Sequence, residues 1–215
     1  NMNSGSSMRG VSVNIWRDEE LEKVLIHELC HYINADFFYN DDGYDKLNDD
    51  LNKIFDIDGK NNPNETYNET LAGIINMCYK SVKLNININE IYFNEINFLL
   101  FQSAKLIYFY DGQTIDDLFD KSIIIKQTTS AISYIFLKTL LFFYIDDILA
   151  FIEKINFKCN KDKNIDKFKE LLEELIHKKE YKEYINKYIN IVKSLIDDEY
   201  KIVKLVRDTM RMSLY

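Results

Sequence analysis

One proline, Pro63, and six glycines are all that interrupt 215 residues. Proline removes a backbone donor and glycine costs the most backbone entropy, so a chain this poor in both can run in long helices. Apolar spacing predicts a helix over about 18–35, opened by Asp18 as cap with Glu19 and Glu20 in its first turn. It predicts others at about 44–55, 64–82 and 90–110, the last stopped by Asp111-Gly112, and an apolar one from a cap among Thr128, Thr129 and Ser130 to about Asn156. Three amphipathic segments follow, at 165–178, 181–195 and 199–214. Two short runs have the period of a strand: Val11 to Trp16, and Leu84, Ile86 and Ile88 with asparagines between them. The expected fold class is therefore mainly α (α+β), in a single domain over 1–215. Within it, 1–10 is expected to be flexible, 11–157 to form the main part and 158–215 a helical C-terminal subdomain.

The charge narrows the partners. Thirty-five acids against 27 lysines and arginines give a net charge of −8, with no basic face concentrated anywhere, which argues against nucleic acid. The most apolar run, Ala131 to Ile152, carries Lys138, Asp146 and Asp147 and reads as a buried helix, not a membrane span. Cys30, Cys78 and Cys159 are odd in number and lack paired spacing, so neither a disulfide framework nor a four-cysteine zinc site is expected. No secretory signal pattern is read in the polar start Asn1 to Gly10, and an intracellular, cytoplasmic location is the expectation. The sequons at Asn64 and Asn68 favour the same reading, because sugars there would crowd a candidate metal ligand.

The chemistry lies in the first helix, at His27-Glu28-Leu29-Cys30-His31. Two histidines four apart sit about 40° apart around a helix and one turn apart along it, so both imidazoles can reach one metal ion. Glu28 is turned about 100° from His27, poorly placed to bind that ion but well placed to take a proton from a water on it. The flanks Val24-Leu25-Ile26 and Tyr32-Ile33 are uncharged, which sets the motif in a buried helix where unpaired imidazoles and a carboxylate would be costly. Cys30 reads as a small buried filler and His177, among lysines, as a solvated surface histidine.

This segment resembles the zincin superfamily of HExxH metallopeptidases. The resemblance covers about Val11 to Gly73. Asn34 and Phe37 stand where the metzincin branch has Gly and a third His, which sets that branch aside. The gluzincin branch takes its third ligand from a glutamate on a later helix, and Asn68-Glu69-Thr70-Leu71-Ala72-Gly73 resembles that segment, implying Glu69. Glu65 and Asp36 remain the alternatives. The acid that commonly follows the third ligand by one turn is Gly73 here.

The resemblance implies a zincin-like fold: an active-site helix pair, a small β edge and a catalytic part over 11–157. It implies Zn²⁺ held by His27, His31 and Glu69, and hydrolysis of a peptide bond in a peptide or protein substrate by a zinc-activated water with Glu28 as general base. Tyr134 is the candidate donor to the oxyanion, the Val11 to Trp16 strand is the candidate edge for an extended substrate, and further strands are expected before it. Arg207 and Arg211, one turn apart, suit either a carboxylate or a surface ion pair. The alternatives are a zincin-derived non-catalytic binding or virion-type structural protein, and a helical interaction module with a chance HExxH.

Overall fold

The computed structural model describes residues 5–16, 18, 20–37, 42–59, 61–195 and 209–215. It opens with an antiparallel hairpin, β1 (Gly5–Met8) and β2 (Ser12–Ile15), turned at Arg9 to Val11 with Gly10 at φ 66°. The helix α1 (Leu21–Tyr32) follows, then α2 (Asp42–Ile54), β3 (Ile57–Asp58), and the long pair α3 (Pro63–Leu84) and α4 (Ile88–Phe109). A short α5 (Asp116–Phe119) leads to β4 (Ile125–Lys126), which pairs in parallel with β3. A π-helical segment, Ile132–Leu137, continues into α6 (Lys138–Phe143), and α7 (Ile145–Lys154), α8 (Asp162–Ile176) and α9 (Lys179–Ser194) complete the described helices. The chain is mainly helical with a small two-stranded edge, as its scarcity of breakers requires. Among the described residues, no helix is long and apolar enough to cross a membrane.

In a chain with so little glycine, asparagine and aspartate take the left-handed positions that end helices. Asn34, Asn85 and Asp111 have φ of 57°, 54° and 64°, as short polar side chains tolerate. Each is followed by a residue whose N–H reaches back into the last turn: Ala35 to the Cys30 carbonyl, Ile86 to Ser81, Gly112 to Ile107. The alternation at 84–88 is therefore a helix end and a helix start, with the Asn87 side chain accepting from the Asn89 N–H, and not a strand. At the other end of α1, Glu20 is left-handed (φ 58°), so the helix begins at Leu21 and not at Asp18. Glu19 lies outside the described residues.

The apolar run from Ala131 is not one α-helix. It starts in π form, capped by Gln127, whose side-chain oxygen accepts from the Ile132 N–H, and it breaks at Tyr144. The core runs without interruption from Phe37, Tyr67 and Phe136 to Phe168, Tyr181 and Ile189, so α8 and α9 share one core with the rest. Residues 5–8, expected to be flexible, form β1. Of the expected last helix, Glu199 and Arg207 lie outside the described residues, and 209–215 is not helical.

The helices α3 and α6 meet where Gly73 faces Phe142; a Cβ on Gly73 would stand 2.7 Å from the ring edge. Phe142 is fully buried and has no room to retreat. Gly73→Val should therefore lower stability by about 1–3 kcal/mol through overpacking, read as a lower urea midpoint at unchanged slope; an unchanged midpoint would contradict this packing.

Candidate metal centre

The helices α1 and α3 lie antiparallel, face to face. Glu22 meets Lys80 and Lys83, Lys23 meets Glu69, and Glu65 lies between His27 and His31. Asn68 fixes the register by donating its side-chain N–H to the His27 carbonyl at 3.0 Å. This seam is buried, and it carries Lys23, His27, Glu65 and Glu69 at 8% exposure or less.

At its centre the Nε2 atoms of His27 and His31 are 3.0 Å apart, and Glu65 Oε2 lies 3.4 Å from the first and 3.6 Å from the second. A tetrahedral ion with bonds of about 2.0–2.1 Å separates its ligand atoms by roughly 3.3 Å. The three observed separations bracket that value, and His27, His31 and Glu65 form a group that could hold a metal ion.

The sequence resemblance gave the third position to Glu69. In the structure Glu65 stands there. Glu69, one turn further along α3, places Oε1 2.7 Å from Nδ1 of His27, the other ring nitrogen. Asp36, the remaining alternative, places Oδ2 2.7 Å from Nδ1 of His31. The left-handed Asn34 reverses the chain after α1 and brings Asp36 back onto the last histidine. The three acids weighed for one place thus take three places, and Glu69 follows Glu65 by one turn of α3. The hydrogen bond between Asp36 and Nδ1 of His31 leaves Nε2 of that ring to face the centre, whereas Glu69 lies close to Nδ1 of His27 as an ion pair without hydrogen-bond alignment.

Each outer acid is held in turn. Arg9, in the hairpin turn, donates to Asp36 at 2.9 Å, to the Asn34 side chain at 3.1 Å and to the Phe37 carbonyl at 3.1 Å. Lys23 bonds Glu69 Oε2, and Lys138 at the start of α6 lies 3.6 Å from the same oxygen. Burial opposes ionisation of Glu69, but Lys23 and His27 outweigh it and hold the carboxyl well below its ordinary value. Burial likewise opposes ionisation of Glu65, and the two histidines outweigh it. For His31 burial disfavours the cation, yet Asp36 and Glu65 push it up to about 10; His27 is raised by Glu69 and Glu65 in the same way. The carboxylates thus demand positive charge at the centre, which protons or a metal ion can supply.

Glu28 is buried on α1 beneath the hairpin, and a Cβ on Gly5 would come within 2.9 Å of its Oε1. The Val11 to Trp16 run contains β2 as expected, and its hairpin partner β1 lies against Glu28 at Gly5. Tyr134 lies half-buried in the π segment, its ring packed on the apolar core. Burial, with Asp36 and Glu69 nearby, pushes the Cys30 thiol up to about 12, in keeping with a filler. His177 is exposed, and Arg211 pairs with Glu20 at 3.2 Å. The sequon residues Asn64 and Asn68 are fully buried in α3, with no room for a sugar.

The sequence reading missed Arg9, Lys23 and Lys138. Lys23 stands one turn before His27 and Lys138 lies in the most apolar run of the chain, and a lysine in such a setting requires a buried partner. Comparison with protein-family models, with curated proteins and with solved structures finds no match for this chain. The likeness to zincins rests on the HExxH segment of the sequence.

Removing the two acids should have different effects. Glu65→Ala should abolish stoichiometric binding of Zn²⁺ or Co²⁺ in a calorimetric titration, whereas Glu69→Ala should retain one equivalent at about 10–100-fold weaker affinity. Unchanged binding by Glu65→Ala would overturn the assignment.

Proposed function

We propose that the chain is a zinc-dependent peptidase with His27, His31 and Glu65 as metal ligands and Glu28 as general base. The observation that carries this reading is the convergence of the two Nε2 atoms and Glu65 Oε2, at separations suited to one tetrahedral ion, on the helix that bears Glu28. Two imidazoles and one carboxylate are a donor set suited to zinc, and they leave a fourth position open. Zinc bound there would polarise the substrate carbonyl and make water nucleophilic near neutral pH.

The protein's own groups carry the remaining steps. Glu28 accepts the proton of the attacking water and returns it to the leaving amine nitrogen, so no covalent intermediate with the protein is required. Asp36 and Glu69 keep both imidazoles oriented through the reaction. Among the described residues β1 is hydrogen-bonded to β2 alone, and its outer edge offers backbone donors and acceptors beside Glu28. An extended peptide adding to that edge would lay its backbone across the site, which suits a peptide or protein substrate.

Glu28→Gln keeps the side chain's shape and removes its basicity. The variant should bind one zinc equivalent with wild-type affinity and lose at least about a hundredfold in peptide hydrolysis. Wild-type turnover by it, measured on a mixed peptide library, would remove Glu28 from the reaction.

A further inference from the structure

Residues 209–215 run without helix or strand along α3, α4 and α6, and side chains from those helices bind their backbone. Lys105 donates to the Thr209 carbonyl, and Lys138 to that of Met212 at 2.6 Å. Glu95 accepts from the Leu214 N–H at 2.9 Å, and Asn76 donates to the Tyr215 carbonyl oxygen at 3.1 Å. All four of these side chains belong to residues no more than 5% exposed.

Lys138 is the point where this segment reaches the metal centre. Its ammonium bonds the Met212 carbonyl on one side and lies 3.6 Å from Glu69 Oε2 on the other, while Glu69 Oε1 lies 2.7 Å from Nδ1 of His27. Lys23 also holds Glu69, but it sits on α1, one turn from His27, and moves with it. Lys138 reaches Glu69 from another element. The wider π turn before it re-phases the residues that follow, and Lys138 is the first of them.

We infer that Lys138 is a positioning residue of the metal centre, acting through Glu69 on His27, and that the docked segment 209–215 holds it in place. This rests on the metal-site reading given above. Without the Met212 carbonyl the ammonium loses the hydrogen bond that sets its position, and Glu69 no longer has a fixed partner on α6 beside Lys23 and His27. Metal affinity, not the chemistry of Glu28, is the property that responds.

The test is a double-mutant cycle on Zn²⁺ affinity, using the full chain and competition with a chelator dye. Lys138→Met keeps length and apolar stem while removing the charge, and it should weaken zinc binding by about tenfold or more. In the Glu69→Gln background the same substitution should have almost no further effect, because the path to His27 is already cut. A merely structural lysine would give equal losses in both backgrounds, and that additivity would overturn the inference. A chain ending at residue 208 should show the same weakening, reversed by adding the peptide Thr-Met-Arg-Met-Ser-Leu-Tyr but not its scrambled form. If that shortened chain does not fold, the cycle decides alone. A wild-type chain that binds no zinc would overturn both the metal site and this inference, whereas a zinc-binding wild type with an unaffected Lys138→Met variant would overturn this inference only.

Discussion

The seam between α1 and α3 governs the rest of the structure. Two helices that bury lysine, histidine and glutamate against each other are stable only if every charge finds a partner at close range, because an isolated charge in the interior costs several kcal/mol. That requirement fixes the register of the pair. Lys23 must meet Glu69, and the antiparallel run then carries Glu65 to the two histidines. The surrounding elements complete the set, with Arg9 of the hairpin at Asp36 and Lys138 of α6 at Glu69. A simpler fold would place leucine at these positions. Charge is tolerated here because it is organised around one point.

That organisation is what would let the histidine pair hold a metal ion. Each Nδ1 lies beside a carboxylate of its own, Asp36 or Glu69, while both Nε2 atoms face each other across one shared oxygen, Glu65 Oε2. Two imidazole nitrogens at 3.0 Å require a proton or a cation between or beside them. Asp36 hydrogen-bonds Nδ1 of His31 and Glu69 sets a negative charge beside Nδ1 of His27, and both contacts would raise the basicity of Nε2 toward an ion.

The helical class was legible because the chain lacks breakers, and the histidine pair because a spacing of four survives any detail of packing. Choosing between Glu65 and Glu69 was not possible from sequence. The two are one turn apart on one face of α3, and which one reaches the histidines depends on the register of two helices joined by thirty residues of intervening chain. Arg9 was illegible for a related reason: its contact depends on a hairpin whose first strand, Gly-Ser-Ser-Met, has no strand pattern. The run at 84–88 misled because asparagine serves both as a polar partner in alternation and as a left-handed helix stop, and in a glycine-poor chain the second use wins. Lys138 carries two signals in the sequence. It argues against a membrane span, and a lysine in an apolar helix also requires a buried partner.

On the proposed reading, one metal ion is held by two imidazoles and one carboxylate at the α1–α3 seam. X-ray absorption at the zinc edge, on protein loaded with a single equivalent, reads that coordination directly. Four nitrogen or oxygen neighbours at about 2.0–2.1 Å are expected, with outer-shell scattering from two imidazole rings. A sulfur neighbour near 2.3 Å, or a shell without imidazole scattering, would contradict it.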